Sequence, residues 1–142
     1  MPMRLTGWAG DSDGTAAIEF AILTPVFLLM LTGMLAYGMY FGAAHSLQQL
    51  AADAARTAIA GLTQSERDQL VRAYLDRNAS AYLLLDARQL NYEVGQSPTD
   101  PNQYSVRLTY DASELPIWDL YPPLPLPSKT LFTAATIRRG GI

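Results

Sequence analysis

The 142-residue chain contains no cysteine, one histidine and only ten Lys and Arg together, of which a single one, Lys129, is lysine. Without cysteine there is no disulfide, no thiolate nucleophile and no Cys-ligated zinc, so stability outside a membrane has to come from packing. The formal net charge of −3 and the lack of clustered basic side chains exclude the footprint that neutralises nucleic-acid phosphates. His45 has no neighbouring serine or acid cluster that would suggest a triad, and is assigned to helix-end solvation. Asp111, Glu114 and Asp119 are separated by a rigid proline-rich stretch, without the spacing of a calcium or zinc site. No glycine-rich phosphate loop occurs. The sequence therefore supplies no catalytic residue, metal ligand or cofactor site, and no small-molecule substrate is expected.

Charge is scarce overall, at 16% of residues against about 25% in an average soluble domain. The deficit is local. No charged residue occurs between Glu19 and Asp53, and the stretch from Phe20 to Ala44 exceeds the roughly 20 apolar residues that carry a helix across a hydrocarbon core. A cleaved secretory signal fits poorly. Such signals have a core of about 7 to 15 apolar residues behind a basic flank, whereas here Arg4 is outweighed by Asp11, Asp13 and Glu19. Neither flank has the basic excess that would set orientation. Within the run, Pro25 removes the hydrogen bond to the Ala21 carbonyl, predicting a kink or loosening there, with the Thr24 hydroxyl as candidate partner for the freed carbonyl. Gly38 and Gly42 form a GxxxG that admits close approach of another helix, with Gly33 and Ala36 adding small surface.

Beyond the run, Leu47, Leu50, Ala51, Ala54, Ala55, Ala58 and Ile59 recur at helical spacing, so the helix is predicted to continue to about Ala60, with Gly61 placed to end it. Thr63 to Glu66 reads as a capping box opening a second helix with Leu70, Val71, Tyr74 and Leu75 on one face, stopping near Asn78. Past Asp86 the period changes to alternation. Leu90, Tyr92 and Val94 form one strand face, Gly95 to Asn102 supplies turn residues, and Tyr104, Val106, Leu108 and Tyr110 alternate again. A third strand is predicted from about Thr130 to Arg138. Three antiparallel strands covering the helix stripe give an α+β fold. Leu115 to Pro127 is rich in proline and contains PxxP; Trp118, Tyr121, Pro122 and Pro123 are either a strip for a partner or part of a stiff loop whose aromatics cap the core.

The string Gly14-Thr15-Ala16-Ala17-Ile18-Glu19-Phe20-Ala21-Ile22-Leu23-Thr24-Pro25 resembles the amino-terminal signal of type IV pilin-like proteins, most closely the TadE-like pseudopilins of tight-adherence (Flp) pilus systems. The Ala-rich His45 to Ala58 segment and the closing Leu131 to Arg139 are similar to the stem and final strand of that family. The resemblance implies cleavage by a prepilin peptidase after Gly14, which makes Thr15 the new terminus and Glu19 the fifth mature residue. It also implies a layout of leader 1–14, transmembrane helix 15–44 and pilin-like extracytoplasmic domain 45–142. The expected protein is a single-pass bacterial inner-membrane component with a periplasmic head. It would take part in pilus assembly with other pilins or pseudopilins, through helix contacts at Glu19, Pro25, Gly38 and Gly42. Two departures stand: the segment before Gly14 has one arginine where the family is often arginine-rich, and Thr15 replaces the phenylalanine usual in major pilins. The alternative is an uncleaved membrane-anchored module that recruits a soluble partner through the proline-rich loop.

Overall fold

The computed structural model describes residues 12–120 and 125–138. Helix α1 covers Ser12–Thr57, a length of 46 residues and about 69 Å at about 1.5 Å per residue. A 3-10 turn, Ala58–Ala60, ends it. Helix α2 (Gln64–Asn78) follows, then strands β1 (Leu90–Gln96), β2 (Gln103–Asp111) and β3 (Thr130–Arg138). The sheet order is β1-β2-β3 and both pairs are antiparallel. The expected α+β layout is therefore present, with the third strand where the sequence placed it.

Backbone contacts divide the chain after Leu35. In the first unit, the apolar side chains from Ile18 to Leu35 are exposed. The second unit, from Ala36 onward, is built on one hydrophobic cluster. Helix α1 contributes Ala36, Tyr40, Ala43, Leu47, Leu50, Ala51, Ala54 and Ala55 to it, and the 3-10 turn adds Ala58, a stripe at helical spacing made mostly of alanine. Val71 and Leu75 of α2 join it, as do Tyr104, Val106, Leu108 and Tyr110, the alternate residues of β2. The core thus reaches more than two turns further back along α1 than residue 45, where the head was expected to begin.

Details of the elements differ from expectation in ways with clear causes. Ile59 falls in the 3-10 turn, leaves the helical stripe and is exposed, and Leu70 lies at the solvent edge of α2. Gly61 does end the helix, but with extended backbone rather than a left-handed cap. A Cβ there would stand 2.6 Å from Arg67 Cγ and 2.8 Å from its backbone nitrogen, so the small residue is needed for the close return of α2. At the start of α2 the Thr63 hydroxyl accepts from the Glu66 N–H at 3.2 Å, while the Glu66 carboxylate accepts from Leu62 N–H at 2.8 Å, one residue earlier than the usual reciprocal pattern. Helix α1 runs through Pro25 without interruption, and the Thr24 hydroxyl donates to the Phe20 carbonyl at 2.6 Å, not to that of Ala21.

Candidate functional site

The residues singled out by the sequence lie along α1 and in the proline-rich loop. Gly14, Thr15 and Glu19 occupy exposed positions near the start of the described helix, with Thr15 and Glu19 one turn apart. Around and beyond them Ile18, Phe20, Ile22, Leu23, Val26 and Phe27 are exposed. The hydroxyls of Thr24 and Thr32 are turned back on the backbone: besides the Thr24 bond, the Thr32 hydroxyl donates to the carbonyls of Leu28 at 2.9 Å and Leu29 at 3.1 Å. A threonine that satisfies its own hydroxyl within the helix carries no uncompensated polar group into hydrocarbon. The place of Thr32 four residues after Leu28 is the local signal for this bond.

The two glycines of the GxxxG separate in role. A Cβ on Gly38 would meet open space, as it would on Gly14 and Gly33, whereas one on Gly42 would stand 3.2 Å from Leu84 Cδ1. Gly42 therefore admits Leu84 of its own head, and the open small surface on α1 is that of Gly33 and Gly38. His45 lies within α1, on its exposed side, with its Nε2 3.0 Å from Gln49 Nε2.

The loop after β2 is fastened to α1 by aromatic residues. The Tyr37 hydroxyl donates to the Pro125 carbonyl, and the Tyr40 hydroxyl donates to that of Ser128 at 3.1 Å. Trp118 meets the Tyr40 ring edge-on at 6.4 Å, and its indole N–H donates to the Ala112 carbonyl at 2.6 Å. Lys129 Nζ stands 5.3 Å above the same indole. Trp118 thus serves the packing of the loop. Tyr121, Pro122 and Pro123, the other candidates there, lie outside the described residues.

Two further anchors tie α1 and α2 to the rest of the head. The Tyr82 hydroxyl donates to Asp53 at 2.7 Å and stands 2.8 Å from the Tyr74 hydroxyl, and the Tyr104 hydroxyl donates to Asp68 at 2.7 Å. Burial first, and then these bonds, push both phenols above their ordinary titration range. Neither anchor was read from the sequence, because acid and phenol are far apart along the chain. On the outer face of the sheet, two shallow hollows share Glu93 and Arg107, whose charged groups are 3.8 Å apart.

Residues 14–56 match the family model described as TadE-like protein. The chain carries a TadE-like segment. It begins at Gly14, takes in the exposed apolar half of α1 and ends at Arg56, one residue before the helix does. The likeness of Leu131 to Arg139 to the family's last strand falls outside this match. Comparison with curated proteins and with solved structures gives no match. Over those residues the chain is similar to TadE-like proteins. The one long apolar helix among the described residues fits a single-pass membrane anchor.

Proposed function

We propose that the protein is a minor pilin or pseudopilin that helps to initiate or assemble a Tad-type pilus. In this reading a prepilin peptidase cuts after Gly14, the head faces the periplasm, and helix contacts in the membrane join the chain to other pilins of the system. The observation that carries it is the TadE-like match opening at Gly14, on a helix whose large apolar side chains from Ile18 to Leu35 are exposed among the described residues.

The chemistry of the terminus follows once the cut is made. The new α-amino group at Thr15 has a reference pKa of about 7.7 to 8, so it is largely cationic at neutral pH. Glu19 lies one turn away on the same helix, and an amine and a carboxylate gain by pairing at the edge of a bilayer. The pair can close within one chain or between neighbouring chains; the second arrangement sets the register of staggered helices and is the one proposed. Pro25 and Gly38 remain on the exposed part of the helix, available to such contacts.

The test is the intact mass of the protein from cells with an active prepilin peptidase. A mature chain beginning at Thr15 is expected, and Gly14→Arg should leave the full-length species. Glu19→Ala should still be cut but should lower piliation. A full-length wild-type chain in those cells would overturn the processing step, and normal piliation with Glu19→Ala would overturn the assembly role of that residue.

A further inference from the structure

The exposed apolar surface of the molecule does not end with the membrane-length run. Phe41 is 60% exposed although its neighbours Tyr40 and Ala43 are in the core. Leu83 is 71% exposed, and the following residue, Leu84, has φ of 63°, a left-handed conformation that a leucine rarely adopts. That turn allows Leu84 to pack towards Gly42 and Leu85 to be buried while Leu83 stays outside.

Contacts within the head place several of these residues around the same turns of α1. Leu84 faces Gly42, the Pro125 carbonyl takes the Tyr37 hydroxyl, and the Ser128 carbonyl takes the Tyr40 hydroxyl. Leu126, between them, is half-buried and flanked by exposed Pro125 and Pro127. Neither contributing segment carries charge: no Asp, Glu, Lys or Arg occurs between Arg77 and Asp86 or between Asp119 and Lys129. Proline removes backbone donors from the loop, and the two tyrosines satisfy carbonyls, so the collar presents few polar groups that would need water.

We propose that this collar, formed by Phe41, Leu83, Leu84 and Leu126 around the first turns of α1 in the head, is a lipid-contact surface that lies in the headgroup–acyl boundary of the bilayer. The proposal rests on reading α1 as a membrane anchor. Its occupant is argued from continuity: the exposed apolar residues run to Leu35, and the collar's segments touch α1 at Tyr37, Tyr40 and Gly42, within the next two turns. Apolar side chains with ring-bearing neighbours are the composition that partitions into that boundary.

The cysteine-free sequence gives a clean test. Single variants Leu28→Cys, Leu83→Cys, Leu126→Cys and Leu62→Cys of the full chain carry a nitroxide, in phosphatidylethanolamine–phosphatidylglycerol vesicles, and the relative collision rates with oxygen and a water-soluble nickel chelate are measured. Leu62, 88% exposed beyond the far end of α1, is the aqueous reference and Leu28 the lipid reference. The proposal expects labels at 83 and 126 to show an oxygen-to-nickel ratio several-fold above that at 62, approaching that at 28. A ratio at 83 and 126 equal to that at 62, with 28 in lipid, overturns the collar and leaves the anchor standing. An aqueous ratio at 28 overturns the anchor itself. Protection of 83 from both reagents, with spin–spin broadening, identifies a protein neighbour and also overturns lipid contact.

Discussion

The two halves of α1 are one continuous helix built for different surroundings. From Ile18 to Leu35 its surface is phenylalanine, isoleucine, leucine and methionine, nearly all exposed. From Ala36 to Ala55 its inward stripe is chiefly alanine, under the head. Large side chains suit a solvent of flexible acyl chains, which conforms to any shape, whereas small ones let neighbouring elements come close to the helix axis. Apolar character alone therefore does not distinguish helix that faces lipid from helix that faces protein. Side-chain size does.

Leucine truncation provides the sharpest contrast between the halves. Leu50, fully buried in the second half, should cost about 2 to 5 kcal/mol as Leu50→Ala, read as a fall in the thermal midpoint of the head by near-ultraviolet circular dichroism in detergent. Leu28→Ala, exposed in the first half, should change that midpoint little, within about 0.5 kcal/mol. Equal losses would abolish the distinction. Trp118→Ala should cost less than Leu50→Ala, about 2 kcal/mol, because the indole is half-buried and contributes one hydrogen bond and an edge-on ring contact.

Tyr82→Phe should cost about 1 kcal/mol, since it removes the donor to Asp53 while keeping the ring. The phenol also titrates in a predictable direction. Its folded value is raised, so its contribution is complete below the ordinary value of about 10 and is lost as pH rises past it. Wild type should lose stability above pH ~10 more steeply than Tyr82→Phe, as measured by alkaline denaturation. The smallest effect is expected at the surface. The Arg88 guanidinium, followed by the Arg88 N–H, holds the Asp86 carboxyl at about 2. A lowered folded value means that the stabilisation is present above the ordinary value of about 3.9 and fades as pH falls towards 2. Asp86→Asn should therefore be slightly less stable than wild type near neutrality and equal to it at the acid end.

Much of this was legible from residue order. Alternation in Leu90 to Val94 and Tyr104 to Tyr110 fixed both strands and their inward faces, since a one-residue slip would expose every core side chain. The third strand appeared within the predicted limits, and Trp118 packs half-buried against the core. The reach of the head's core back to Ala36 was not legible. Ala36, Tyr40 and Ala43 are uncharged members of an uncharged run, and such residues read alike in lipid and in a protein core. The role of Gly42 was hidden for a similar reason: the glycine announces a close approach, but its partner, Leu84, is far away in sequence. The links of Tyr82 to Asp53 and Tyr104 to Asp68 depend on tertiary placement, which no local pattern encodes.

The claim that one helix serves two surroundings is tested most directly by alkylation of single cysteines along its exposed side. Leu23, Met34, Gln48 and Arg56 are all exposed in the protein chain, so differences in their reactivity report what surrounds the molecule. Each is replaced by cysteine in turn and treated with a membrane-impermeant maleimide in spheroplasts, with detergent-solubilised protein as the control for reactivity. The account predicts that positions 23 and 34 are protected until detergent is added, while 48 and 56 react at once from the periplasmic side. Reaction at 23 and 34 as fast as at 48 and 56 in intact membranes would contradict it.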